Sequence, residues 1–174
     1  VTLNEGLIDI WAYAFQDTAI DTLNCPSTLR NIYNSAFAGC RNLRQINLNE
    51  GLTRIEVYAL ANNKATEIVL PSSLEYCARG AFDDCDSLVT IEARSVMPPN
   101  TNDGCPLTGT DLTKTVLYVP VWSLAEYQLA AGWNQFYTFR TSDFMPQYVK
   151  VNKDFYFTLR DELDPDYRPD IELT

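Results

Sequence analysis

The apolar residues of this chain follow neither the 3.6-residue period of a helix nor the alternation of a strand. They recur at a longer interval. Leu7, Leu29, Leu52 and Leu74 stand 22, 23 and 22 residues apart, and Ile10, Ile32, Ile55 and Cys77 keep the same steps. So do Phe15, Phe37, Leu60 and Phe82, each preceded by alanine (Ala14, Ala36, Ala59 and Ala81). Pairs of apolar residues with one residue between them hold the register too: Val1 and Leu3, Leu23 and Cys25, Ile46 and Leu48, Ile68 and Leu70. Ile91 and Ala93 open a fifth turn. The lead-in to each leucine alternates between N-E-G-L (4–7, 49–52) and P-S-T-L or P-S-S-L (26–29, 71–74), with glycine or proline where the chain must reverse. The first repeat is one residue shorter between Phe15 and Leu23, so Ile20 is expected in the place that Leu43 and Leu88 hold in theirs.

One such unit cannot bury its apolar side alone, whereas a stack of units makes a continuous core in which each coil touches only its neighbours. A period of 22 or 23 lies within the leucine-rich-repeat range. A coil this short predicts strands of about three residues and turns elsewhere, with a helical turn after each Ala-Phe. If Ile46 and Leu48 face inward, the residues beside them face out. Thr2, Asn24, Asn47, Val69, Glu92 and Tyr118 then form one outward ladder, and Thr22, Gln45, Glu67 and Thr90 a second.

The pattern L-x-x-I-x-x-x-A-F-x-x-C-x-x-L-x-x-I-x-L, best matched by LRNIYNSAFAGCRNLRQINLN at 29–49, resembles the BspA-type leucine-rich repeat, also called the Treponema pallidum type. The resemblance covers roughly residues 1–97. The third repeat departs from it, with Leu60 for Phe, Asn63 for Cys and Thr66 for Leu. Residues 115–136, TVLYVPVWSLAEYQLAAGWNQF, resemble the terminal strand and cap helix of Bacteroides-type surface proteins. The residues support that reading independently. Val116 to Val119 suits a strand, and Ser123 with Glu126 three residues on reads as a capping box. Leu124, Tyr127, Leu129 and Ala131 offer an apolar face, Gly132 reads as a helix stop, and Trp133 and Phe136 are expected to seal the open end of the stack.

The fold class expected is therefore α/β: a right-handed leucine-rich-repeat solenoid of four to five coils, mostly short strands and turns, with a C-terminal strand-helix cap. The expected divisions are 1–97 for the solenoid, 98–140 for an irregular loop with strand and cap helix, and 141–174 for a β-rich tail. In that tail Val149, Val151, Phe155, Phe157 and Leu159 suggest two strands about a turn at Asn152-Lys153-Asp154. Its acidic end, DELDPDYRPDIEL, reads as the start of a further domain. Val1 opens without a charged or apolar leader, so any export signal is expected to have been removed or never included.

Composition narrows the chemistry. The absence of histidine excludes Ser-His-Asp hydrolysis, Cys-His catalysis and His-ligated zinc. None of the five cysteines forms a C-x-x-C pair. They read as buried thiols acting as small hydrophobes, apart from Cys105, whose environment the sequence does not define. A net charge of −10 with scattered lysines disfavours nucleic acid, and no run of apolar residues is long enough to cross a membrane. Asp83, Asp84 and Asp86, like Asp161, Glu162, Asp164 and Asp166, lack the spacing of a calcium loop and read as solvated. No metal and no cofactor is expected. A curved face without a deep pocket suits an extended ligand rather than catalysis.

Two groups of residues are candidates for binding. One is the outward sheet face, with Asn24, Gln45, Asn47, Glu67, Glu92 and Tyr118. The other is aromatic: Trp11 and Tyr33 share a column directly after the inward isoleucine, and Tyr13 and Tyr58 fall two residues beyond that column. A neighbouring loop or coil covering these rings would make them structural instead. The family resemblance implies a cell-surface module, lipoprotein-anchored or secreted, that adheres to host or bacterial proteins or glycans. A passive spacer, or the non-catalytic part of a larger surface enzyme, are the alternatives.

Overall fold

A computed structural model describes residues 3–102, 104–144, 149–152 and 155–157. The strands in chain order are β1 (Asp9–Ile10), β2 (Thr22–Asn24), β3 (Asn31–Ile32), β4 (Gln45–Asn47), β5 (Arg54–Ile55), β6 (Glu67–Leu70), β7 (Tyr76–Cys77), β8 (Thr90–Ala93), β9 (Val116–Pro120), β10 (Thr138–Ser142), β11 (Val149–Asn152) and β12 (Phe155–Phe157). They build two walls. In the first, β1, β3, β5 and β7 run parallel, pairing Ile10 with Ile32, Ile32 with Ile55 and Ile55 with Cys77. The second holds β2–β4 and β6–β8–β9–β10, again parallel. Each chain turn visits one wall and then the other, which makes a parallel β-solenoid. β11 and β12 form a separate antiparallel pair.

The repeating apolar columns fill the space between the walls. Leu29, Leu52 and Leu74, then Ile32, Ile55 and Cys77, then Phe37, Leu60 and Phe82 are all buried. Phe15 stacks on Phe37 with ring centroids 5.0 Å apart. Ile20 is buried in its expected place. In the third repeat the residue that matches Leu43 and Leu88 is Ala65, fully buried, and not Thr66, which is exposed. This coil is short by one residue between Leu60 and the strand, as the first is between Phe15 and Ile20. Asn63 makes the tighter turn: its Nδ2 donates to Leu60 O at 2.6 Å and its Oδ1 accepts from Ala65 N–H at 2.9 Å.

No helical turn follows the Ala-Phe pairs. Consecutive turns straddle them instead, because two left-handed residues bend the chain on either side: Tyr13 and Asp17, Ser35 and Gly39, Tyr58 and Asn62, Gly80 and Asp84. Asn, Asp and Gly adopt this conformation readily. For a tyrosine it is strained by about 1–3 kcal/mol.

Residues 94–114, irregular in sequence, complete a fifth coil in register. Asn100 pairs with Tyr76, and Phe82 N–H donates to Pro106 O as Phe37 N–H does to Ala59 O. Cys105 and Leu107 are buried in this coil. All five cysteines are free, with Cys25 half-buried and the rest buried.

The cap differs from its expected detail. A 3-10 turn, Val121–Ser123, runs straight into helix α1 (Leu124–Leu129). Ser123 therefore takes φ −102°, ψ 2° rather than the extended conformation of an N-cap, and its buried Oγ has no hydrogen-bond partner. α1 ends at Leu129, before Gly132 (φ 82°), which instead precedes a second 3-10 turn, Trp133–Gln135. With the helix this short, Tyr127 faces the core, while Leu129 is 82% exposed and Ala131 also lies outside. Trp133 and Phe136 are buried and close the stack. β10 then adds one more rung beside β9, crossing the expected division at residue 140.

Candidate functional site

Two exposed surfaces emerge, one on each wall. On the first, the residue after each inward isoleucine leaves β1 or β3 pointing away from the core. Trp11, 65% exposed, there stacks on Tyr33 with centroids 4.7 Å apart and planes 4° from parallel. The parallel register of β1 and β3 fixes this spacing, since one coil separates the two rings. In the next coil Glu56 takes the column, and Arg54 pairs with it at 2.7 Å. The Arg54 guanidinium lies 4.3 Å from the centre of the Tyr76 ring, and Asn102 Nδ2 donates to Tyr76 Oη at 2.8 Å. Burial, then the Glu56 charge, raise the Tyr76 phenol above its usual range. Tyr13 and Tyr58 are exposed on the left-handed turns beyond. The Tyr58 ring passes close over Gly80, leaving no room for a side chain there.

On the second wall the outward ladders form as spaced. Asn47 Nδ2 donates to Asn24 Oδ1 at 2.7 Å, and Thr22 Oγ1 donates to Gln45 Oε1 at 3.4 Å. Further along, Val69, Glu92 and Tyr118 stand side by side in the register of β6, β8 and β9. There the face becomes an open groove of about 610 Å³, lined by Glu67, Thr90, Glu92, Arg94, Tyr118 and residues 141–144. Arg94 is held between Glu92, 2.9 Å away, and the Phe144 ring, 4.9 Å away. Glu67 and Asp143 are exposed at the rim. Such a lining offers hydrogen-bond donors and acceptors beside two aromatic rings, which is equipment for holding a polar ligand.

The structure thus brings Glu67, Glu92 and Tyr118 into one groove and Trp11 and Tyr33 into one stack. Asn24, Gln45 and Asn47 lie outside the groove, and Thr2 lies outside the described residues. Sequence reasoning missed Arg94, although it sits two residues after Glu92. It also missed Arg54 with Tyr76, whose contact follows from one coil of separation. The 141–144 wall had no such signal, because it depends on the cap returning the chain alongside β9. Elsewhere Asp83 accepts from Thr108 Oγ1 at 2.8 Å on both oxygens, and burial raises its carboxyl above the usual range. Among the described residues no group of three or more His, Cys, Asp or Glu is placed to hold a metal ion; the run at 161–166 lies outside them.

A family model described as BspA type leucine rich repeat region matches residues 1–120 in six copies. These extend the four to five coils read from the spacing, since the fifth coil is in register despite its irregular sequence. Among solved structures the chain is similar to a leucine-rich repeat protein from Bacteroides ovatus, at 18% identity and a TM-score of 0.48. That likeness covers 68% of this chain and 38% of the other, so the chain spans well under half of that protein's length. No curated protein matches.

Proposed function

The chain belongs to the BspA-type leucine-rich repeat family, and from that premise we propose that it is a non-catalytic binding module presenting its solenoid faces to proteins or glycans at a bacterial cell surface. Stacked-coil repeats build extended faces suited to macromolecular contact. The observation that carries the reading is the Trp11–Tyr33 stack, two large rings set side by side on the outer surface of a wall. Core packing gives no reason to place them there, and exposed aromatic clusters mark contact surfaces. The groove beside Tyr118 is the second contact region of the same reading.

Capture of the chain on an array of matrix proteins and surface glycans tests this. Trp11→Ala with Tyr33→Ala should remove most of the captured signal, and Tyr118→Ala with Glu92→Gln should reduce it where the groove contributes. Capture unchanged in both variants would overturn the assignment of these faces. No capture of the wild-type chain would favour a spacer that displays a neighbouring domain.

A further inference from the structure

We infer that the solenoid is assembled from pairs of coils and that it yields at one joint, between Leu48 and Asn49. The single-coil period of 22 or 23 residues hides a second period of 45. Glu5 and Glu50 lie 45 residues apart, and each clasps the serine at the start of the following coil. Glu5 accepts from Ser27 N–H at 3.0 Å and Ser27 Oγ at 2.8 Å; Glu50 accepts from Ser72 N–H at 3.0 Å and Ser72 Oγ at 2.9 Å. Gly6 N–H donates to Thr28 Oγ1, which donates to Leu7 O; Gly51 N–H donates to Ser73 Oγ, which donates to Leu52 O.

The inward polar column repeats in the same way. Thr18 and Cys40 both donate to Phe15 O, while Asn63 and Cys85 both donate to Leu60 O. The first left-handed position of each turn alternates large and small, Tyr13 then Ser35 and Tyr58 then Gly80, and Tyr58 lies over Gly80 of its partner coil. Coils one and two, and then three and four, therefore share one set of contacts, whereas the joint between two and three has another, in which Asn49 Nδ2 donates to Ser27 O and Leu29 O.

That middle joint is also where the second wall is interrupted. β2 pairs with β4, and β6 pairs with β8, but β4 and β6 form no ladder. Lys64 N–H reaches Leu43 O, whereas at the paired joints the corresponding contacts are Arg44 N–H to Asp21 O and Val89 N–H to Thr66 O. The first wall stays paired across the joint through β3 and β5. The joint is thus bonded along the first wall and through the turns, where Ser35, Phe37 and Gly39 N–H donate to Val57, Ala59 and Ala61 O, and lacks a ladder only along the second wall. Bending there changes the angle between the Asn24–Asn47 ladder and the groove at Glu92 and Tyr118, which lie in different pairs.

Native-state hydrogen exchange on the full chain tests this directly. Amides of Glu67–Leu70 should exchange on the order of tenfold faster than those of Thr90–Glu92, which have a partner strand on both sides. Equal protection of the two strands would overturn the hinge. Glu50→Gln, which weakens a clasp without touching the core, supplies the second measurement. Exchange should rise across 49–93 as a block and stay unchanged across 4–48. A rise of the same size in both blocks would mean that the coils open as one body, and would overturn the pairing.

Discussion

The indole N–H of Trp133 donates to the carbonyl of Pro99 at 2.7 Å, both groups buried, and so ties the cap to the fifth coil across 34 residues. Tyr127 adds a second tie through its hydroxyl to Ser95 O at 2.9 Å. Trp133→Phe keeps a ring in the slot but leaves the Pro99 carbonyl without a donor. It should cost about 1–3 kcal/mol, the usual penalty for an orphaned buried acceptor. Urea unfolding followed by circular dichroism would register this, and an unchanged midpoint would show that the cap packs without the bond.

Ser123→Ala separates two accounts of the cap. A true capping box would lose about 1 kcal/mol on this change. Here the Ser123 hydroxyl is buried without a partner, and removing an unsatisfied polar group is neutral or stabilising. The expected thermal midpoint of the variant is therefore equal to or above that of the wild type.

Asn63 is the polar counterpart in the core. Asn63→Ala leaves Ala65 N–H without its partner inside a buried turn, and Leu60 O with only the weak Cys85 thiol donor. We expect a loss of about 1–3 kcal/mol in chemical denaturation. Asn63→Asp should be at least as damaging, because a carboxylate cannot donate to Leu60 O.

Buried thiols contribute to the alkaline limit. Burial pushes Cys25 up to about 12 and Cys85 up to about 11, from an ordinary value of 9.0. A raised folded-state value means that the unfolded chain loses these protons first. The contribution to stability is thus complete below pH 9 and declines as pH climbs through about 11 and then about 12. Denaturation midpoints at pH 8 and pH 10.5 should differ in that direction, and Cys25→Val should make the difference smaller.

Much of this architecture was legible because inward columns demand similar side chains at equal intervals. Phe37, Ile55 and Leu74 could be placed from spacing alone. Ala65 could not: its small side chain carries little signal, and Thr66 satisfied an assumed constant length. The fifth coil was legible only at its start, Ile91 and Ala93; beyond it Cys105, Pro106 and Leu107 keep the hydrogen-bond register through an insertion that breaks the count. For the candidate site, Glu67, Glu92, Tyr118, Trp11 and Tyr33 followed from register. The far side of the groove did not, because Phe144 reaches Arg94 only after a helix and two turns whose path no local period describes.

The five free thiols carry one more consequence. The core is closed by packed sulfhydryls rather than by bridges. Closing the core therefore needs no disulfide to form, and its packing rests on the thiols as small apolar groups.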